Sequence, residues 1–214
     1  MPSLLAAVDH GVFLYPIALC GLIGLGVALE RVYFLLVRAS LAPAPFIGAV
    51  QEAVLAGDLD RALQLCASAP AAPLAAVVKA ALRHADRDRE EVQLAVEQAT
   101  LDAVPLLQAR IGYLATIANV VTLFGLLGTI VGLIQSFDAV AQANPEDKQT
   151  LLAQGIATAM YATAGGISVA IPTLIAHSVL TLRSNALLDD IDRFALRVVL
   201  LLDARRKGAA RGED

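Results

Sequence analysis

Three long apolar stretches alternate with polar ones along this chain. The first reads VFLYPIALCGLIGLGVALERVYFLLV, from Val12 to Val37. The second and third occupy roughly 111–141 and 151–182. A hydrocarbon core of about 30 Å needs roughly 20 helical residues, so each stretch is long enough to cross a bilayer. Asp, Glu, Lys and Arg are absent between Ile111 and Phe137, and again between Leu151 and Leu182. The pattern predicts an all-α integral membrane protein with three transmembrane helices, at 12–38, 111–141 and 151–182. Helices two and three are expected to extend into the cytoplasm. A small helical insert at 39–110 lies on that side. Residues 1–11 form a periplasmic N-terminus, 142–150 a periplasmic loop, and 183–214 a cytoplasmic amphipathic helix and charged, disordered tail.

Within the insert, turn residues separate short amphipathic repeats. Pro43 and Pro45 close off the first span. PFIGAVQEAVLAG reads as one helix, stopped by Gly57, and Asp58 is placed to cap the next, DLDRALQLCAS. Pro70 and Pro73 mark a second break, and PLAAVVKAALRHA is a third helix. His84, among charges, reads as a solvated surface residue. Asp88 followed by Glu91 has the spacing of a capping box. Val92, Val96, Ala99 and Ala103 then recur at helical spacing. This helix is expected to run into the second span as one rod, kinked at Pro105.

Composition agrees with the pattern. The chain has 214 residues, 57% hydrophobic and 17% charged, with a mean hydropathy of +0.68. Soluble domains sit nearer 45–50% apolar and about 25% charged. A net charge of −4 gives no reason to expect nucleic acid. Cys20 and Cys66 lie far apart, show no metal-ligand spacing, and read as reduced thiols. The leading residues lack the basic start of a cleavable signal, so an uncleaved first helix is expected. Of the 16 Lys and Arg, only Lys148 falls in the 138–150 loop and none precedes the first span. The positive-inside rule therefore places the N-terminus and that loop outside, and the insert and tail inside. Glu30 and Arg31 close the first span, either as a boundary ion pair or as a contact to a cytoplasmic neighbour.

The apolar spans carry more polarity than lipid contact requires. Thr116, Asn119, Thr122, Thr129 and Ser136 lie in the second, and Thr158, Thr163, Ser168 and Thr173 in the third. Thr122 and Thr129 share a face with Gly125, Gly128 and Gly132. Thr163 shares one with Gly166, beside Gly165. Gly21, Gly24 and Gly26 give the first span a small-residue face. Pro172 is expected to kink the third span and free a carbonyl near Ser168. Two readings stay open. The hydroxyls bond back to their own helix while the glycines allow close packing, or the hydroxyls of several subunits line a pore. His177, near the boundary, is either solvated or a proton relay. None of the three spans holds a carboxylate, Lys or Arg at mid-membrane, where functional titrating groups normally sit. A proton path through this chain would need a partner to supply one. No nucleophile–base constellation or phosphate loop points to an enzyme, and no cofactor is expected.

LATIAN at 114–119, GLLGTIVGLIQSF at 125–137 and GIATAMYATAGGISVAIPTLIAH at 155–177 resemble the MotA/TolQ/ExbB proton-channel family, its ExbB/TolQ branch in particular. The first span, with its closing Glu-Arg, and the insert segment AGDLDRALQLC are similar to the family as well. The resemblance implies a homopentamer in the bacterial inner membrane around a dimer of an ExbD/TolR-like single-span partner. That partner's helix carries an aspartate that titrates as protons pass. Motion driven this way serves a TonB-like or Tol-Pal-like protein. Thr129 and Thr163 correspond to the family's pore threonines. Many members have glutamate where this chain has Thr158, and proline where it has Thr122. The first departure leaves the partner's aspartate as the only obvious proton carrier. Alternatives are a non-conducting membrane scaffold for a partner helix and a MotA-like stator, although the MotA branch resembles four spans with a larger insert.

Overall fold

The computed structural model describes residues 13–39 and 43–211, and these contain helices and turns with no strand. Helix α1 covers Leu14–Tyr33 and continues as a π-helical turn, Phe34–Arg38. Helices α2 (Pro43–Leu55), α3 (Leu59–Ala67), α4 (Pro73–Arg83) and α5 (Arg89–Gln108) follow. Then come α6 (Ile111–Gln142) and the 64-residue α7 (Lys148–Arg211). Three stretches are long and apolar enough to cross a membrane: α1 with its π turn, the stretch containing α6, and α7. The expected periplasmic N-terminus at 1–11 lies outside the described residues.

The chain divides into two units. One combines the described part of residues 1–30 with Arg110–Val179. Here α6 and α7 form an antiparallel hairpin, because the turn between them spans only residues 143–147. Small residues line the seam. A Cβ on Gly125 would sit 3.4 Å from Gly166 Cα, and one on Gly128 only 2.6 Å from Ala162 Cβ. One on Gly132 would lie 2.8 Å from Ala159 Cβ. In an apolar solvent helices gain little by leaving lipid, so association rests on such close packing. α1 docks on the same pair. Gly21 faces Val169, and Gly24 faces Ile117 and Thr173. A Cβ on Gly26 meets nothing within 4 Å among the described residues, so of the three glycines only Gly21 and Gly24 pack within the chain.

The other unit combines Arg31–Ala109 with the distal part of α7. Its core includes Leu35, Val50, Val77, Leu107, Ile191 and Val198, all buried. Gly57 takes the left-handed conformation at φ +83°, which ends the turn after α2 without steric cost. Asp58 then caps α3 by accepting from the Arg61 N–H at 2.9 Å. His84 is half-buried, with Nδ1 3.0 Å from Ala80 O on the preceding turn of α4. It is therefore tied to its own helix rather than freely solvated.

Three local expectations change. Asp88 occupies the N-cap position of α5 but caps no N–H with its side chain. Its carboxylate accepts instead from Arg206 on α7 at 2.7 Å, so a charged partner outcompetes the capping box. The expected rod through the second span is interrupted at Ala109 and Arg110, while Pro105 stays inside α5. Arg110 adopts φ 60° and ψ −9°, the left-handed region that side chains seldom occupy. Finally, the stretch expected as a disordered tail is helical as far as Arg211, and only residues 212–214 lie outside the description. Lys207 reaches back to Asp203 at 2.8 Å and supports that last part of α7.

Candidate functional site

A polar contact inside the apolar unit joins α6 to α7. Thr129 Oγ1 and Thr163 Oγ1 are directly hydrogen-bonded to each other across the hairpin. Thr163 Oγ1 also lies 2.9 Å from Gly125 O on the opposite helix. Thr129 Oγ1 lies 3.2 Å from the same carbonyl and 3.3 Å from Ala159 O. Two hydroxyls supply two protons to share among these acceptors. When Thr163 donates to Gly125 O, Thr129 donates to Thr163 or to Ala159 O. When Thr129 donates to Ala159 O, the bond between the hydroxyls can reverse.

The sequence creates this clasp by a simple device. Gly125 brings its own carbonyl within reach of Thr163, because a Cβ there would press on Ala162 O at 3.1 Å and Thr163 Cα at 3.2 Å. Gly166 does the same from the other side, where a Cβ would meet Val121 O at 2.8 Å. Gly165 differs, since a Cβ there would meet only the end of Leu14, at 3.3 Å. Of the Gly165-Gly166 pair, Gly166 alone sets the helix spacing.

The other hydroxyls serve their own helices. Thr122 donates to Ala118 O at 2.9 Å, Thr158 to Gln154 O at 2.9 Å, and Thr173 to Val169 O at 2.8 Å. Ser136 and Ser168 make equivalent bonds at 2.6 and 2.7 Å. This is the back-bonding alternative. The structure thus brings Thr129 and Thr163 together and leaves Thr122 and Thr158 apart from them. Pro172 lies inside α7, which continues through it without a break.

At the other end of α1, Glu30 pairs with Arg110 at 3.5 Å. Arg31, only 6% exposed, donates to Leu106 O at 3.3 Å and lies 5.1 Å from the centre of the Phe34 ring. Neighbouring residues on a helix point about 100° apart, so this Glu-Arg pair reaches two different targets.

Residues absent from the sequence-based candidates also contribute. Gly155 abuts Ser136 so closely that a Cβ would overlap its hydroxyl. Ala159 and Ala162 are buried at 2% and 4% exposure. Together with Gly166 they repeat at four- and three-residue intervals, a small-residue stripe visible in the sequence. Arg110 had no comparable signal.

Comparison with known proteins places the chain in a family. Residues 69–193 match the model of the MotA/TolQ/ExbB proton channel family. An ExbB homolog of Methanothermobacter thermautotrophicus, named for biopolymer transport, is 31% identical over 187 residues, 87% of this chain and 64% of that protein. The Tol-Pal system protein TolQ of Haemophilus influenzae is 38% identical over 104 residues, 49% of this chain and 45% of TolQ. The biopolymer transport protein ExbB of Salmonella typhimurium is 34% identical over 90 residues, 42% of this chain and 36% of ExbB. The chain thus spans less than two thirds of the length of each of these relatives. With the family model matching more than half of its residues, this membrane protein belongs to the MotA/TolQ/ExbB proton channel family, in its ExbB and TolQ branch.

Proposed function

We propose that this chain is the ring-forming subunit of a proton-driven motor in the bacterial inner membrane. Five copies surround a dimer of an ExbD/TolR-like single-span partner. The N-terminus and the 142–150 loop face the periplasm, and the insert and C-terminus face the cytoplasm. Proton flow moves the ring relative to the partner. The force serves outer-membrane transport of the TonB type or envelope integrity of the Tol-Pal type. The observation that carries this reading is the Thr129–Thr163 clasp within two apolar segments, 111–137 and 151–182, that hold no Asp, Glu, Lys or Arg. It is a polar site lacking a titrating group, as a subunit that borrows its proton carrier would present.

Thr129→Ala or Thr163→Ala, expressed with the partner, is expected to abolish energised function while leaving the oligomer intact. Unchanged proton flux and function in both variants would remove these residues from the path. A second reading, a non-conducting scaffold for a partner helix, draws on the back-bonded hydroxyls of Thr122, Thr158 and Thr173. Collapse of the proton gradient by a protonophore separates the two, since a scaffold is indifferent to it and a motor stops.

A further inference from the structure

In the second unit, a groove of about 390 Å3 runs between α5 and the distal part of α7. Its lining includes Val96, Glu97 and Leu101 from α5 and Asp192, Leu196 and Val199 from α7, with Arg89 at one end held by Asp203 at 3.7 Å. Its apolar floor is open, with Leu101 66% and Leu196 58% exposed. Glu97 and Asp192 are exposed on its walls and have no ion-pair partner among the described residues.

The next stripe of α7 carries the opposite charge. Arg193, Arg197 and Leu200 are exposed and repeat at four- and three-residue intervals. Asp192, Leu196 and Val199 repeat at the same intervals, one residue earlier. Consecutive helical residues differ by only about 1.5 Å in height but by about 100° in direction. The two stripes are therefore level with each other and face different ways. Arg193 has no ion-pair partner among the described residues, and Arg197 rests 5.2 Å from the Phe194 ring of its own helix.

Copies inserted the same way round in a bilayer are related by rotation about its normal, which leaves every residue at its own height. A contact between different faces of such copies is heterologous and closes into a ring. We infer that the α5–α7 groove receives the Arg193–Arg197–Leu200 stripe of a second copy of this chain. The guanidinium of Arg193 goes to Asp192 and that of Arg197 to Glu97, and Leu200 goes against Val199 and Leu196 at the same end of the groove. Arg suits the position because its planar fork binds carboxylates while its stem covers apolar surface. The inference rests on the ring reading above and names the surface that closes the ring.

The test uses the full chain in mild detergent, lacking Cys20 and Cys66. Glu97→Cys with Arg197→Cys, oxidised, is expected to give a ladder of species above the dimer on a non-reducing gel, and either substitution alone none. With both native cysteines retained, Arg193→Glu with Arg197→Glu is expected to cut the oligomer fraction at least tenfold in native mass spectrometry. Adding Glu97→Arg and Asp192→Arg is expected to restore it. An intact oligomer without a ladder, a ladder from one substitution alone, or failed restoration overturns the groove assignment and leaves the ring reading standing. A monomeric unsubstituted chain under the same conditions overturns both.

Discussion

Thr129 and Thr163 are partners within the chain itself. Each hydroxyl has an acceptor on the opposite helix as well as the other hydroxyl. Any carboxylate brought to this pair would have to compete for protons already in use. Interhelical hydrogen bonds in membranes contribute about 0.6 kcal/mol on average and rarely exceed about 2. Thr163→Val is thus expected to lower hairpin stability by about 1 kcal/mol, read from thermal unfolding in detergent. Thr158→Val, which loses only a bond to Gln154 O, is expected to change it by less than about 0.5 kcal/mol. A comparable cost in both would show that the clasp adds nothing beyond ordinary back-bonding. Cys66 offers an independent check outside the three stretches long enough to cross a membrane. It is 2% exposed, and burial pushes its thiol up to about 11. The folded state therefore holds the proton to a higher pH than the unfolded chain does. Stability is expected to fall as pH rises above the ordinary thiol range near 8.5. Maleimide labelling of Cys66 at pH 8 is expected to stay slow until the chain unfolds.

At the scale of the helix, adjacent glycines have unequal roles. A Cβ at Gly166 meets backbone, Val121 O at 2.8 Å and Gly125 Cα at 3.1 Å, and backbone cannot step aside. At Gly165 it meets the end of a leucine at 3.3 Å, which can. Overpacking a tight contact costs about 1–3 kcal/mol. Gly166→Ala is expected to destabilise the hairpin by that amount, and Gly165→Ala to be neutral or slightly stabilising because alanine favours helix. Equal thermal midpoints for the two variants would contradict the seam. The same helices show what their sequence could reveal. The stripe of Gly155, Ala159, Ala162 and Gly166 has a readable spacing, whereas the break at Arg110 has none. No Gly or Pro marks that break. It coincides with a tertiary ion pair from Arg110 to Glu30.

Within the second unit of the molecule, charges tie α5 to the end of α7. Asp203 receives Lys207 at 2.8 Å, and Arg89 and Arg206 lie 3.7 and 3.9 Å away. The Lys207 hydrogen bond and these positive neighbours hold the Asp203 carboxyl below its ordinary value, against a smaller opposing effect of desolvation. A depressed carboxyl contributes stability above its unfolded value, near 3.9, and loses it as pH falls through the lower folded value. Asp203→Asn is therefore expected to lower the thermal midpoint at pH 6–8, with the gap to the unsubstituted chain closing below about pH 4. A gap that persists in acid would mean that Asp203 acts through packing rather than charge.

The apolar runs by themselves determined an all-α membrane protein, because length and the absence of charge leave a bilayer helix as the only economical structure. The LATIAN, GLLGT and AIP segments carried the family. The order of the elements, the Asp58 cap and the Gly57 stop could be read locally, since each depends on residues within a turn of one another. Tertiary structure alone decided the rest. It chose Arg206 over a capping box for Asp88, broke the rod at Arg110, and kept α7 helical to Arg211. Each outcome depends on where a side chain distant in sequence, or a competing charge, happens to lie. The same holds for the threonines. Spacing could list them, but only the crossing of two backbones at Gly125 and Gly166 selected Thr129 and Thr163 as the pair that meet.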